Sequence, residues 1–171
     1  GVSRYEFSAG HIRMSVERSL RRLRTDLVDV VLLHSDGRDE EIIERTGAIE
    51  ALADLRRAGK VGAIGISTKT VAGGLLAVGK KAQGLCDVVM VTLNARERAD
   101  LAVVRAARVA GAGVLVKKSL SSGHASAEEA EASWRLALAE PGVSSIVVGT
   151  ASAARLRANA SAMDRIVTTL G

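Results

Sequence analysis

The stretch Leu27-Val28-Asp29-Val30-Val31-Leu32-Leu33-His34-Ser35-Asp36 runs from a nearly unbroken apolar segment straight into polar side chains. Three of its residues are β-branched valines, and the run is shorter than an ordinary amphipathic helix, so it reads as a strand buried on both faces. A buried parallel strand that stops at His34, Ser35 and Asp36 opens onto polar ground at its carboxyl end, where barrels carry their sites. The plainer reading of His34 is a residue that caps a core strand through hydrogen bonds.

Working outward, Ser8 can cap a helix in which Ile12, Val16, Leu20 and Leu23 share one face and Arg13, Glu17, Arg21 and Arg24 line the other. Beyond the strand, Ile42, Ile43, Ile49, Leu52 and Leu55 predict one helix that closes at Gly59. A strand from Ala63 to Ile66 ends at Ser67-Thr68, and a glycine-loosened helix around Val71, Leu75 and Val78 leads to a strand from Asp87 to Val91 that ends near Asn94. A helix begun by Leu101 and ended at Gly111 precedes a strand from Gly113 to Val116, which stops at Lys117-Lys118-Ser119. Ser126 and Glu129 have capping-box spacing at the head of a helix halted by Pro141-Gly142. A last strand, Ser145 to Val148, ends at Gly149-Thr150, and Ser152 opens the final helix.

Strict alternation of apolar strands and helices means a parallel sheet with right-handed crossovers, either an open doubly wound sheet or a barrel. The strand ends His34, Ser67, Asn94, Lys117 and Gly149 then converge on one rim, which a barrel gathers around a single pocket. Neither a glycine-rich dinucleotide fingerprint nor a Walker-type phosphate loop stands at a strand-to-helix turn, which disfavours the common open-sheet nucleotide folds.

With 171 residues the chain is read as a single domain over residues 1–171, short for a complete (β/α)8 barrel of ~250 residues. Aromatic residues make up only 2%, so stacking platforms for bases are nearly absent and no nucleic-acid partner is expected. The net charge of +5 is dispersed along helices that also carry Glu and Asp, with some bias toward anionic ligands. One cysteine, Cys86, allows no disulfide framework and no cysteine metal site, and suits a reducing, cytoplasmic setting. No apolar run approaches the ~20 residues of a membrane span, and no metal or membrane partner is expected. The chain starts at Gly1, just ahead of a helix, so a cut or processed sequence is the expectation.

Ser19-Leu20-Arg21-Arg22-Leu23, followed by Asp26, Asp29 and Leu32-Leu33-His34, resembles the helix and fourth barrel strand of the aldo/keto reductases. Ala51-Leu52 through Leu55, Gly59-Lys60-Val61 and Ile64-Gly65-Ile66-Ser67 look like the approach to the fifth strand. Cys86-Asp87-Val88-Val89 to Asn94 is similar to the sixth, Gly113-Val114 to Gly123 to the seventh, and Pro141-Gly142-Val143 to Asn159 to the eighth. Any one motif is weak, but all of them stand in register. The resemblance implies an α/β fold of the (β/α)8 TIM-barrel type, represented by its carboxyl-terminal majority, about five parallel strand-helix units.

It also implies an NAD(P)H-dependent oxidoreductase that reduces small carbonyl compounds to alcohols, hydride passing from nicotinamide while a tyrosine donates the proton, and NADP(H) is the expected cofactor. In that scheme His34 would orient the substrate carbonyl, and Ser67 would meet the nicotinamide carboxamide. Lys117, Lys118, Ser119, Leu120 and Gly123 would line the pyrophosphate side. Gly149, Thr150, Arg155 and Asn159 would lie at the adenosine end, with Arg155 placed to pair bidentately with a 2′-phosphate. A solvated helix arginine is the plain alternative for Arg155.

Departures from the family pattern accompany these matches. Thr68 stands where asparagine is usual, Met90 where glutamine is usual and Ser119 where proline is common. Methionine cannot donate to a carboxamide, so a loosely held nicotinamide is the expectation. The family's catalytic aspartate, tyrosine and lysine lie on strands that precede this chain's first helix, and Tyr5 does not match the tyrosine's context. No proton donor is therefore assigned here, and the chain by itself is expected to be a partial, weakly active or inactive reductase. Two other readings stay open: a non-catalytic nucleotide-binding or regulatory module, and a phosphate-binding barrel of other activity, since lysines and Gly-Thr turns also hold phosphate.

Overall fold

The computed structural model describes residues 5–170. Helix α1 (Ala9–Leu23) delivers the chain into β1 (Val28–His34), and two short helices, α2 (Asp39–Arg45) and α3 (Ala48–Arg57), lead to β2 (Val61–Ser67). Then follow α4 (Val71–Gly79), β3 (Val88–Thr92), α5 (Leu101–Ala110), β4 (Gly113–Lys117), α6 (Ala127–Leu138), β5 (Ser145–Ile146) and α7 (Ala153–Leu170). The strands form one five-stranded sheet in chain order, every pairing parallel. That is the wall of a parallel α/β barrel, and the strands read from the sequence are adjacent in the expected order. Among the described residues no helix is long and apolar enough to cross a membrane.

Local chemistry explains the element boundaries. Ser8 caps α1 by accepting from the His11 amide at 3.3 Å, and Ser126 with Glu129 completes a reciprocal capping box on α6. The single helix expected from Ile42 to Gly59 is instead two. Thr46 Oγ1 donates to the Ile42 carbonyl at 2.8 Å and accepts from the Ala48 amide at 3.2 Å, while Gly47 takes φ +71° between them. A left-handed residue cannot continue a right-handed helix, so the axis turns there. The third strand stops at Thr92, short of Asn94, and the fifth is only Ser145–Ile146.

Alternation along the strands divides the sheet into two faces. Ile64, Ile66, Val89, Val91, Val114 and Val116 face the helices and are fully buried against Ile49, Leu52, Val103, Val104 and Ala107. The opposite face carries Val88, Met90, Thr92, Gly113, Leu115 and Lys117, all only half-buried. A second small core, Ala130, Trp134 and Ile166, joins α6 to α7 and takes in Leu120 and Ile146 at its edge. At the amino end of β3, Asp87 accepts from the Ile64 amide at 3.1 Å and is paired with Arg56 and with Lys81 at 3.0 Å.

Gly65 shows how tightly β2 and β3 are laid together. A Cβ at this position would lie 1.6 Å from the Val88 carbonyl oxygen, a backbone atom that cannot swing aside. We expect Gly65→Ala to separate the two strands and destabilise the fold by about 3 kcal/mol or more, the upper end of overpacking costs. Urea unfolding followed by circular dichroism measures this. A loss below about 1 kcal/mol would mean that the ladder is slack at Gly65.

Candidate active site

Parallel strands bring their carboxyl ends to one side of the sheet, and the polar residues gather there. A cleft of about 560 Å³ is lined by His34, Thr68, Lys69, Val71, Thr92, Glu97, Ala99, Asp100, Lys117 and Lys118. A second cavity, of about 280 Å³, is lined by Lys118, Ser119, Leu120, Ser122, Gly123, Val147, Val148 and Gly149. Lys118 lines both, so the two lie side by side along the rim between the end of β1 and the end of β5.

His34 is exposed at the end of β1, its imidazole stacked on Tyr5 with ring centroids 6.2 Å apart. Its Cα partner is Ser67, which is buried, and whose hydroxyl accepts from Lys117 Nζ at 2.8 Å. The same ammonium donates to the Thr68 carbonyl oxygen at 2.6 Å, so Lys117 spans from β4 across β3 to the end of β2. Burial lowers the Lys117 pKa, with repulsion from Lys118 adding to the effect, and attraction to Asp100 and Asp39 opposes it. Lys117 thus lines the first cavity and not the second, unlike the other residues expected on the pyrophosphate side.

Those other residues divide into groups with different environments. Ser119 is buried and its hydroxyl accepts from the Trp134 indole N–H at 3.2 Å, while Leu120 packs on the Trp134 cluster, so both side chains serve the second core. Lys118, Ser121 and Ser122 take φ of 55°, 46° and 58°, a run of left-handed non-glycine residues before Gly123 at 92°. Such residues each cost on the order of 1 kcal/mol and persist where the surroundings hold them. Asn94 supplies part of that hold: its Nδ2 donates to the Lys118 carbonyl at 3.2 Å, and its Oδ1 accepts from the Arg96 and Glu97 amides at 2.9 Å. Asn94 is fully buried, so Thr92 takes the place on the rim that Asn94 was expected to hold. Thr150 and Asn159 are half-buried, and Arg155 is exposed on the first turn of α7, whose amide donates to Ser152 Oγ at 3.3 Å.

Two acidic residues of the site went unread in the sequence. Asp100 folds back to accept from the Thr92 amide at 2.9 Å, and burial pushes its carboxyl up. Asp39, buried at the start of α2, accepts from the Lys69 amide at 3.0 Å, the Thr70 amide at 2.8 Å and the Thr70 hydroxyl at 2.7 Å. Burial opposes its ionisation, but hydrogen bonds from Ser35, Thr70 and Lys69 outweigh it and hold the carboxyl below the usual aspartate range. Thr70 in turn caps α4 by accepting from the Gly73 amide at 3.0 Å. The available signal was a first-turn acid on the helix after His34; its partners, some thirty residues on, have no local pattern.

Asp39 fixes the loop that carries Thr68 and Lys69, and it does so as an anion. Its contribution to stability is complete above the ordinary aspartate pKa of ~3.9 and is lost as the pH falls through its lower folded-state value. Asp39→Ala should cost about 2–3 kcal/mol at neutral pH, because buried amides lose their acceptor. The variant should also lose part of the acid destabilisation seen below about pH 4. Urea midpoints between pH 2 and 7 report both effects, and identical acid slopes would show that Asp39 is not the anion at work.

The Aldo/keto reductase family model matches residues 1–132. A crystal structure of a Pseudomonas aeruginosa protein assigned to the aldo-keto reductases is 41% identical, superposes with a TM-score of 0.88, and is matched over 98% of this chain and 62% of that one. The aldo-keto reductase AKR11C1 from Bacillus halodurans, in its holo form, is 21% identical with a TM-score of 0.76 over 94% of this chain and 63% of that one, a likeness of fold. A 6-dehydroglucose reductase from Agrobacterium fabrum is 44% identical over 66 residues, 39% of this chain and 21% of the relative. The uncharacterized oxidoreductase YcsN of Bacillus subtilis is 41% identical over 63 residues, 37% of this chain and 20% of the relative. The chain thus spans less than two thirds of the length of the structural relatives. The family model covers most of its residues, and the parallel wall superposes on barrels of the same kind: the chain belongs to the aldo/keto reductase family.

Proposed function

We propose that this chain is the carboxyl-terminal portion, strands four to eight, of a reductase barrel that binds NADP(H) along its rim and reduces small carbonyl compounds to alcohols. The observation that carries the reading is the pair of adjacent cavities, meeting at Lys118, that reach from His34 to Gly149 at the strand ends where barrels hold ligands. Its residues suit a dinucleotide. Thr68 Oγ1 is buried without a partner, Gly123 and Gly149 have open space where a side chain would stand, and Lys118 and Arg155 offer positive charge to phosphates.

When bound, the reduced cofactor supplies the hydride. His34 donates a hydrogen bond to the substrate carbonyl and fixes it at the mouth of the cleft. Ser67 holds the nicotinamide carboxamide, Lys118 and Gly123 with the backbone at Ser119 and Leu120 border the pyrophosphate, and Gly149, Thr150 and Asn159 flank the adenosine end. Arg155 grips the 2′-phosphate. The proton donor comes from outside these strand-helix units, so the chain alone reduces carbonyls slowly or not at all. A relative's name, 6-dehydroglucose reductase, supports a sugar-like carbonyl among the compounds to try.

The test is calorimetric titration of the complete gene product with NADPH and NADH, followed by turnover on aldehydes. Arg155→Ala should weaken NADPH binding by about 1.5–3 kcal/mol and leave NADH nearly unchanged. Equal losses for both cofactors would place Arg155 in support of the fold instead. Replacing His34 by Ala should lower kcat by about 10²-fold. NADPH binding without turnover by any carbonyl would favour a nucleotide-binding module over an enzyme.

A further inference from the structure

Lys117 is the cation of the rim whose position a pyrophosphate role does not use. Its ammonium is bonded to Ser67 Oγ at 2.8 Å and to the Thr68 carbonyl oxygen at 2.6 Å. The residue of β3 in register with Ser67 is Met90, whose thioether is a weak acceptor, and the lysine reaches past Thr92, its own register partner on that strand, to the end of β2. Nearby carboxylates are already committed, Asp100 to the Thr92 amide and Asp39 to the amides of Lys69 and Thr70. Among the described residues Lys117 forms no ion pair, and its positive neighbours Lys118 and Lys69 add to the local field. By accepting from the ammonium, Ser67 keeps its own hydroxyl proton available to donate.

A fixed positive charge therefore touches the side chain that the reading above sets against the nicotinamide carboxamide. The nicotinamide ring is cationic when oxidised and neutral when reduced. We propose that Lys117 makes the site discriminate between the two redox forms of its cofactor, repelling the oxidised ring and accepting the reduced one. This rests on the nucleotide reading of the rim. The consequence is a site that fills with NADPH and expels NADP+ after reduction, with Lys117 as a positioning and selecting residue. Met90 and Thr68, which weaken the carboxamide contacts, leave that charge as the larger influence on the ring.

The experiment measures dissociation constants for NADP+ and NADPH on the complete gene product, wild type, Lys117→Met and Lys117→Arg. Wild type should hold NADPH at least tenfold tighter than NADP+, equivalent to 1.4 kcal/mol. Lys117→Met should collapse that ratio to within about threefold by tightening NADP+, while Lys117→Arg, which keeps the charge, preserves it. An unchanged ratio in Lys117→Met, or equal loss of both forms, overturns the proposal and leaves the nucleotide reading intact. Failure of wild type to bind either form overturns both. Should Lys117→Met not fold, titrating wild type from pH 7 to 10 serves instead. The ratio should fall as the ammonium, facing Lys118, Asp100, Asp39 and Lys69, loses its proton, and a flat ratio overturns the proposal.

Discussion

A parallel ladder forbids a short return. Each strand of this sheet must be followed by a crossover long enough to bring the chain back to the same starting edge, and here helices provide every crossover. The arrangement leaves all carboxyl ends on one rim, so His34, Ser67, Thr92 and Lys117 become neighbours although they are far apart in sequence. The close approach of Gly65 to the Val88 backbone is the most demanding point of that ladder, because the register of β2 on β3 sets Ser67 beside Met90. Everything polar at the rim depends on this register.

Above the ladder, the loops are held by side chains acting on backbone. Asp39 anchors the turn after β2, Asn94 holds the left-handed Lys118 after β4, and Asp100 closes the end of β3. Each uses a buried or half-buried acceptor or amide whose partners would otherwise be unpaired, where such groups are most expensive to leave alone. The result is a rim whose loops are positioned by the barrel wall itself. The opposite edge follows the same logic, with Asp87 gathering Arg56, Lys81 and the Ile64 amide beneath β3.

The departures from the family pattern acquire a physical meaning in this setting. Met90 offers no strong polar atom beside Ser67, which leaves the Ser67 hydroxyl and the Thr68 carbonyl to Lys117. Thr68 keeps a buried hydroxyl without a partner, a cost of about 1–3 kcal/mol that a bound ligand could relieve. Ser119, where a proline is common, uses its hydroxyl to satisfy the buried Trp134 indole. A rim read from sequence as a list of ligand contacts is therefore partly devoted to holding its own loops.

The sequence by itself determined the order of elements, the caps and the identity of the strands, because those follow from local periodicity and from hydrogen bonds a few residues apart. Apolar runs ending at His34, Ser67 and Lys117, and capping residues such as Ser8 and Ser126, are legible without coordinates. The family's motifs in register extended that reading to the barrel. Tertiary structure alone decided the shortened β5, the direction of Lys117 toward Ser67, and the pairing of Asp39 with a loop thirty residues away. These depend on which backbone groups are left without partners once the strands are packed, and that shortage exists only in the folded chain.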